Sequence, residues 1–180
     1  MERQKIRTDI LAKLKEGNRS FVRTADPAIR LETAKHGQHP YAIVICCSDS
    51  RVIPEQIFSA GLGELFVVRV AGNVLDDHQL GSIEYAAAHL NCGHIVMLGH
   101  TGCGAVAAAL SGEADGFIRS ITDDILEAVG PERDPDAACR LNVIHAVEKL
   151  RQEFGEHPEM PGVQICGAVY DIETGEVEWL

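Results

Sequence analysis

Thiol, imidazole, carboxylate and guanidinium groups are concentrated in two short polar segments of the sequence. Cys47, Asp49 and Arg51 lie in the first segment, and His100 and Cys103 lie in the second. Two thiolates and one imidazole form a ligand set typical of a catalytic zinc ion, which keeps its fourth position for water. We therefore expect Cys47, His100 and Cys103 to bind one metal ion, provided that the two segments meet in the fold.

The two segments support each other as a metal signal. A His-x-x-Cys pair such as His100 and Cys103 is by itself a weak indicator, but the Cys-x-Asp-x-Arg pattern at Cys47 to Arg51 makes it strong. Because neighbouring residues of an extended strand project to opposite sides, only one of Cys46 and Cys47 is expected to reach the site. The cysteines other than the candidate ligands are expected to be small core residues without a chemical role, namely Cys46, Cys92, Cys139 and Cys166.

Alternating apolar runs and helical patterns predict the elements that position these groups. Buried strands are predicted at 41–46, 65–70, 95–98 and 163–170. Helices are predicted at 5–23, from 54 onward, and at 77–91, 104–111, 117–129 and 136–154. A terminal hairpin is predicted from the segments 168–172 and 176–180. The expected fold is α/β, with a mostly parallel central sheet of four strands, helices on its faces and a C-terminal antiparallel edge strand.

Both chemical segments directly follow predicted strands, the first after 41–46 and the second after 95–98. In open α/β sheets, ligands bind at the carboxyl ends of the strands. The sequence therefore places both segments at the functional edge of the sheet.

Composition narrows the class of protein. We expect one domain over residues 1–180, with an N-terminal helical arm at about 1–36. The net charge of −11 argues against a nucleic-acid partner, because phosphate binding needs a clustered basic surface. No apolar run approaches the roughly 20 residues that cross a bilayer, and no secretory signal is visible, so we expect a cytoplasmic protein without a membrane partner.

The two segments resemble the signature motifs of a known family, the β-class carbonic anhydrases. Cys47-Ser-Asp-Ser-Arg51 and His100-Thr-Gly-Cys103 match those motifs without a departure at any ligand or charged-pair position. Flanking segments also resemble a bacterial member of the family, at 16–21, 63–69, 71–73, 82–85, 167–171 and 177–179. Val70 differs, because many relatives carry Asn there.

The resemblance implies an activity, a cofactor and an assembly. It implies a lyase that reversibly hydrates carbon dioxide to bicarbonate and a proton. It also implies one Zn²⁺ per subunit on Cys47, His100 and Cys103, and a catalytic pair formed by Asp49 and Arg51. A homodimer or a dimer of dimers is expected, with the N-terminal helix packing on its neighbour.

The expected pair has a physical role beside a metal. Zinc lowers the pKa of bound water, although two thiolate ligands weaken the shift and favour activity at alkaline pH. Asp49 would accept a hydrogen bond from the resulting hydroxide and orient it toward carbon dioxide. Arg51 would grip the carboxylate through two parallel hydrogen bonds, which keeps it ionised and off the metal. If Asp49 left Arg51 and bound zinc, it would occupy the water position and close the enzyme in an inactive state.

Two other functions use the same residues. A related zinc hydrolase of carbon disulfide or carbonyl sulfide would need the same metal ligands. A non-enzymatic zinc or thiol sensor would use Cys47 and Cys103 but would leave the Asp49 and Arg51 pair unexplained. A zinc nucleobase deaminase is disfavoured, because no His-x-Glu is joined to a Pro-Cys-x-x-Cys sequence.

Overall fold

The structure is a computed structural model that describes residues 2–158 and 160–180. The chain divides into two compact units, of which the first ends at Gly37 and the second is Gln38–Leu180. Among the described helices, none combines the length and the apolar character needed to span a membrane. The expectation of a single domain over the whole chain stays a prediction.

The first unit contains two helices, α1 (Glu2–Thr24) and α2 (Pro27–His36). The predicted helix at 5–23 is confirmed in α1. Helix α2 lies within the predicted helical arm at about 1–36, but its own bounds were not predicted. Asp26 caps it by accepting a hydrogen bond from the Ala28 amide, and Pro27 occupies its first turn. None of its ten residues, all of them described, is buried. The helix therefore has no apolar stripe to mark it in the sequence.

The second unit is built on one sheet of five strands, in the order β2-β1-β3-β4-β5. The strands are β1 (Ala42–Cys46), β2 (Leu65–Arg69), β3 (His94–His100), β4 (Gln164–Tyr170) and β5 (Val177–Trp179). The first four are parallel, and β5 pairs antiparallel with β4. The predicted fold class is thereby confirmed, including the antiparallel edge strand at the C-terminus.

Strand β1 lies at the centre of the core and is buried along its whole length. Its side chains alternate between two apolar clusters, so that Ile43 and Ile45 lie in one while Val44 and Cys46 lie in the other. Continuous burial on both faces explains why its sequence is an unbroken apolar run.

The remaining helices are α3 (Pro54–Ile57), α4 (Asp77–Leu90), α5 (Gly104–Ser111), α6 (Ile118–Val129) and α7 (Pro135–Phe154). Their predicted positions are confirmed, with shifts at the ends. Helix α4 ends one residue early, because Asn91 rather than Gly93 adopts the left-handed conformation that terminates it. Helix α7 packs closely on the sheet, since a side chain at Gly99 in β3 would collide with Val143.

Candidate metal centre

The fold brings the two polar segments together at the carboxyl ends of neighbouring strands. In the register of β1 and β3, Cys46 lies opposite Leu98, so Cys47 comes next to the end of β3. The ligand atoms of Cys47, His100 and Cys103 lie within 4.8 Å of one another, and all three residues are buried. This geometry allows one ion to contact both sulfurs and the imidazole.

His100 is held with one ring nitrogen facing this cluster. It is the last residue of β3, whereas the sequence had placed it in the turn after the strand. Its Nδ1 lies 2.8 Å from the Thr101 carbonyl oxygen, and a ring that donates there leaves the Nε2 lone pair available. Within the described residues, Nε2 is the buried side-chain polar atom that lacks a hydrogen-bond partner. Such an atom costs about 1–3 kcal/mol when it stays unpaired, and coordination of a metal ion would remove that cost.

The two thiols shift each other's pKa in opposite directions. A hydrogen bond from the Cys103 thiol lowers the pKa of Cys47 well below its usual range, against the opposing effect of burial. The Gly72 amide assists by donating to Cys47 Sγ at 3.3 Å. Donation to Cys47 and burial together raise the pKa of Cys103, so one thiolate forms readily and the second needs a neighbouring cation. Two sulfurs and one imidazole nitrogen are donors that suit a divalent metal ion with a preference for soft ligands.

Asp49 and Arg51 form a two-pronged ion pair beside the ligand cluster. Arg51 donates from Nε to Asp49 Oδ1 at 3.0 Å and from Nη2 to Oδ2 at 2.7 Å. These bonds and the Arg51 backbone amide hold the pKa of Asp49 well below its usual range. Arg51 Nη2 also lies 3.3 Å from the Gly102 carbonyl oxygen, which connects the first turn to the second. Asp49 is therefore ionised at neutral pH and fixed in direction.

Comparison with known proteins identifies the family. The family model described as carbonic anhydrase matches residues 42–177. A protein named carbonic anhydrase 2 from Mycobacterium tuberculosis is 47% identical over 125 residues, which cover 66% of this chain and 60% of the relative's own length. A carbonic anhydrase from Mycolicibacterium smegmatis is 39% identical, covering 92% of this chain and 89% of the relative.

Solved structures agree with the sequence relatives. The β-carbonic anhydrase CcaA superposes with a TM-score of 0.79 at 26% identity, covering 96% of this chain and 92% of that one. The chain belongs to the β-carbonic anhydrase family.

The sequence prediction for this β-carbonic anhydrase family member missed the residues that hold the first turn. Arg69, at the end of β2, donates from Nη2 to the Asp49 carbonyl oxygen at 2.7 Å and from Nε to the Cys47 carbonyl oxygen at 3.3 Å. Gly72 was missed in the same way. Both residues lie in segments that resemble the family, so the sequence marked these segments as part of the resemblance but did not predict the contacts that the two residues make.

The other cysteines lie outside the ligand cluster. Cys46 belongs to the core cluster on the second face of the sheet, away from Cys47, as predicted from strand alternation. Cys92 and Cys139 are buried and Cys166 is half-buried, all as free thiols. Val70, the position that differs from many relatives, packs against the apolar cluster that contains Cys47 and Cys103.

Proposed function

We propose that this chain is a zinc-dependent carbonic anhydrase, a lyase that reversibly hydrates carbon dioxide to bicarbonate and a proton. The observation that carries the proposal is the convergence of Cys47, His100 and Cys103 within 4.8 Å, in a chain of this family. The ionised Asp49 next to them supplies a group that an inert structural site would not need.

In this proposal, Cys47, His100 and Cys103 would hold one Zn²⁺ per subunit. Two sulfurs and one nitrogen are ligands that zinc prefers. When bound, zinc supplies a Lewis acid that makes water a nucleophile near neutral pH. The Thr101 carbonyl keeps the His100 ring oriented, which is the usual role of a partner on the second ring nitrogen of a metal-binding histidine.

Asp49 and Arg51 are proposed to act on the attacking nucleophile. Asp49 accepts a hydrogen bond from it, which turns a free lone pair toward the carbon of carbon dioxide. Arg51 holds both carboxylate oxygens, so the carboxylate neither rotates nor takes up the proton. Because the Arg51 side chain is half-exposed, substrate could reach this end of the sheet from solvent.

A closed state is a separate proposal. If the Asp49 carboxylate left Arg51 and became a metal ligand, it would take the place of the attacking water and stop the reaction. The bonds to Arg51 describe the open arrangement. Crystal structures at two pH values decide the matter, since a carboxylate that stays on Arg51 at both would remove the closed state.

Assembly and location are also proposed. The N-terminal unit exposes large apolar side chains that would suit an interface, and we propose a homodimer or a dimer of dimers in the cytoplasm. These side chains are Ile10, Leu11, Leu14, Phe21, Val22, Ile29 and Leu31. Light scattering after gel filtration measures the assembly, and a monomer at micromolar concentration would contradict it.

Stopped-flow hydration of carbon dioxide, with zinc content measured on the same sample, tests the main proposal. We expect stoichiometric zinc, activity that a chelator removes, and activity that zinc alone restores. Zinc without hydration would support a sensor. Release of sulfide from carbonyl sulfide or carbon disulfide, with little carbon dioxide hydration, would indicate the related hydrolase.

A further inference from the structure

The buried side-chain amide of Asn142 contacts the backbone next to the cluster of candidate metal ligands. Asn142, on α7, is only 5% exposed and lies on a helix face whose other buried residues are mainly apolar. Its Nδ2 donates to the Gly72 carbonyl oxygen at 2.9 Å, between residues 70 positions apart in the chain. A buried amide without a partner would be costly, so this bond fixes both the side chain and the peptide that accepts from it.

Gly72 in turn faces the candidate ligand Cys47. Its backbone has φ of +68°, a left-handed conformation that glycine adopts without strain. In this conformation its amide donates to Cys47 Sγ at 3.3 Å. A Cβ at this position would lie 2.8 Å from Ile125 Cδ1 and 3.0 Å from Ala105 Cβ, so the turn is packed tightly against α5 and α6. Gly72 thus carries one bond to Asn142 and another to Cys47.

We propose that Asn142 is a positioning residue for the metal ligand Cys47, acting through Gly72. The amide of Asn142 holds the turn, and the turn directs its N–H at one lone pair of the Cys47 sulfur. A second lone pair is then left in a fixed direction for the ion. The inference rests on the proposed metal binding by Cys47. Outer-shell partners of metal ligands typically change metal affinity by about 10- to 100-fold when they are removed.

The test compares Asn142→Leu with a matched control on the same helix. Leucine keeps much of the volume of asparagine but cannot donate. Val147→Ala removes buried contacts of α7 in the sheet-facing core, away from the ligand cluster. For each full-length variant, zinc affinity is measured by competition with a chelator. The charge-transfer band from thiolate to metal is recorded after substitution with Co²⁺.

We expect Asn142→Leu to weaken zinc binding by at least about tenfold and to shift the thiolate-to-cobalt band. Val147→Ala should unfold at lower temperature while keeping the affinity and the band of the wild type. Equal affinity and an unchanged band in Asn142→Leu would overturn the positioning role. A wild type that binds no zinc would instead overturn the proposed function, so the two failures are distinct.

A measurement on the wild type covers the case in which Asn142→Leu does not fold. With ¹¹³Cd in place of zinc, the Gly72 amide proton should show a scalar coupling to the metal through the hydrogen bond to Cys47 sulfur. Detection of that coupling supports the contact between Gly72 and the metal-bound sulfur. Absence of the coupling from an assigned Gly72 amide would overturn the proposal without any variant.

Discussion

The two turns of the candidate metal centre are supported in different ways. The first turn, after β1, is held by hydrogen bonds from the Arg69 side chain to its carbonyl groups and from the Gly72 amide to Cys47 Sγ. The second turn, after β3, is held because the hydrogen bonding between β3 and β4 continues into the turn. There the Thr101 amide donates to the Tyr170 carbonyl oxygen, and the Thr101 hydroxyl accepts from the Ile172 amide.

The turns also differ in what they contribute. Each supplies buried sulfur to the ligand cluster, but only the first adds a partly exposed charged pair. In the proposed function, metal binding would be shared by the two turns, whereas orientation of the nucleophile would depend on the first turn. The first turn relies on side-chain contacts from Arg69 and, through Gly72, from Asn142, so it should be the more sensitive of the two to substitutions outside the ligands.

Removing a sulfur from either turn should have the largest effect. Cys47→Ala and Cys103→Ala should each lose stoichiometric zinc and lower carbon dioxide hydration by at least about 1,000-fold, since both sulfurs are needed to fill the ligand set. Metal analysis and stopped-flow assays measure this. Cys46→Ala is the control, because that thiol lies on the other face of the sheet. Retention of zinc by only one of the two variants would break the idea of shared binding.

Asp49→Asn should have the next largest effect. The amide keeps the shape of the side chain but loses the charge that, in the proposed function, orients the nucleophile. We expect kcat/KM to fall by about 100-fold while zinc content stays at one ion per chain. Because Arg51 keeps the pKa of Asp49 far below neutrality, the wild-type carboxylate stays charged across the assay range. Loss of zinc in this variant would show that Asp49 supports the metal site rather than the reaction.

Arg69→Met should weaken the first turn without touching a ligand. The substitution removes two hydrogen bonds to the carbonyl groups of Cys47 and Asp49 while keeping an unbranched side chain. We expect zinc affinity to fall by about tenfold, measured by chelator competition. An affinity equal to that of the wild type would mean that the turn holds its shape without this support.

Thr101→Val is the matching change in the second turn and should have the smallest effect. Valine is nearly isosteric but cannot accept the hydrogen bond from the Ile172 amide. We expect the free energy of unfolding to fall by about 1 kcal/mol and zinc affinity to change by less than about threefold. Denaturant titration and chelator competition measure the two quantities. A tenfold loss of affinity would remove the contrast between the turns.

The sequence predicted the sheet well because its strands are strongly patterned. The apolar run at 41–46 and the runs that follow it have few alternative interpretations, and their order along the chain predicts a parallel sheet. The bounds of helix α2, within the predicted helical arm, were missed because none of its described residues is buried. His100 was placed outside β3 because the apolar run stops at Leu98, whereas backbone pairing with β4 continues to Tyr170.

The candidate ligands could be chosen from the sequence because each motif places its groups at a strand end. Their supports could not. Arg69 acts through carbonyl groups, and Asn142 acts through the backbone of Gly72. Any residue type offers those carbonyl groups, so no pattern of side chains marks these contacts. They follow from the packing of segments that are distant in the chain.

The placement of the ligands at and beyond the ends of two separate strands has a consequence for folding. An ion held by Cys47 and Cys103 would act as a cross-link between chain segments that the sheet and the Arg51 contact to Gly102 also join. By mass action it would stabilise the native state more as the free zinc concentration rises. Amide hydrogen exchange would register this first as slower opening at the ends of β1 and β3. The free zinc concentration would then set the stability of the folded chain as well as its proposed activity.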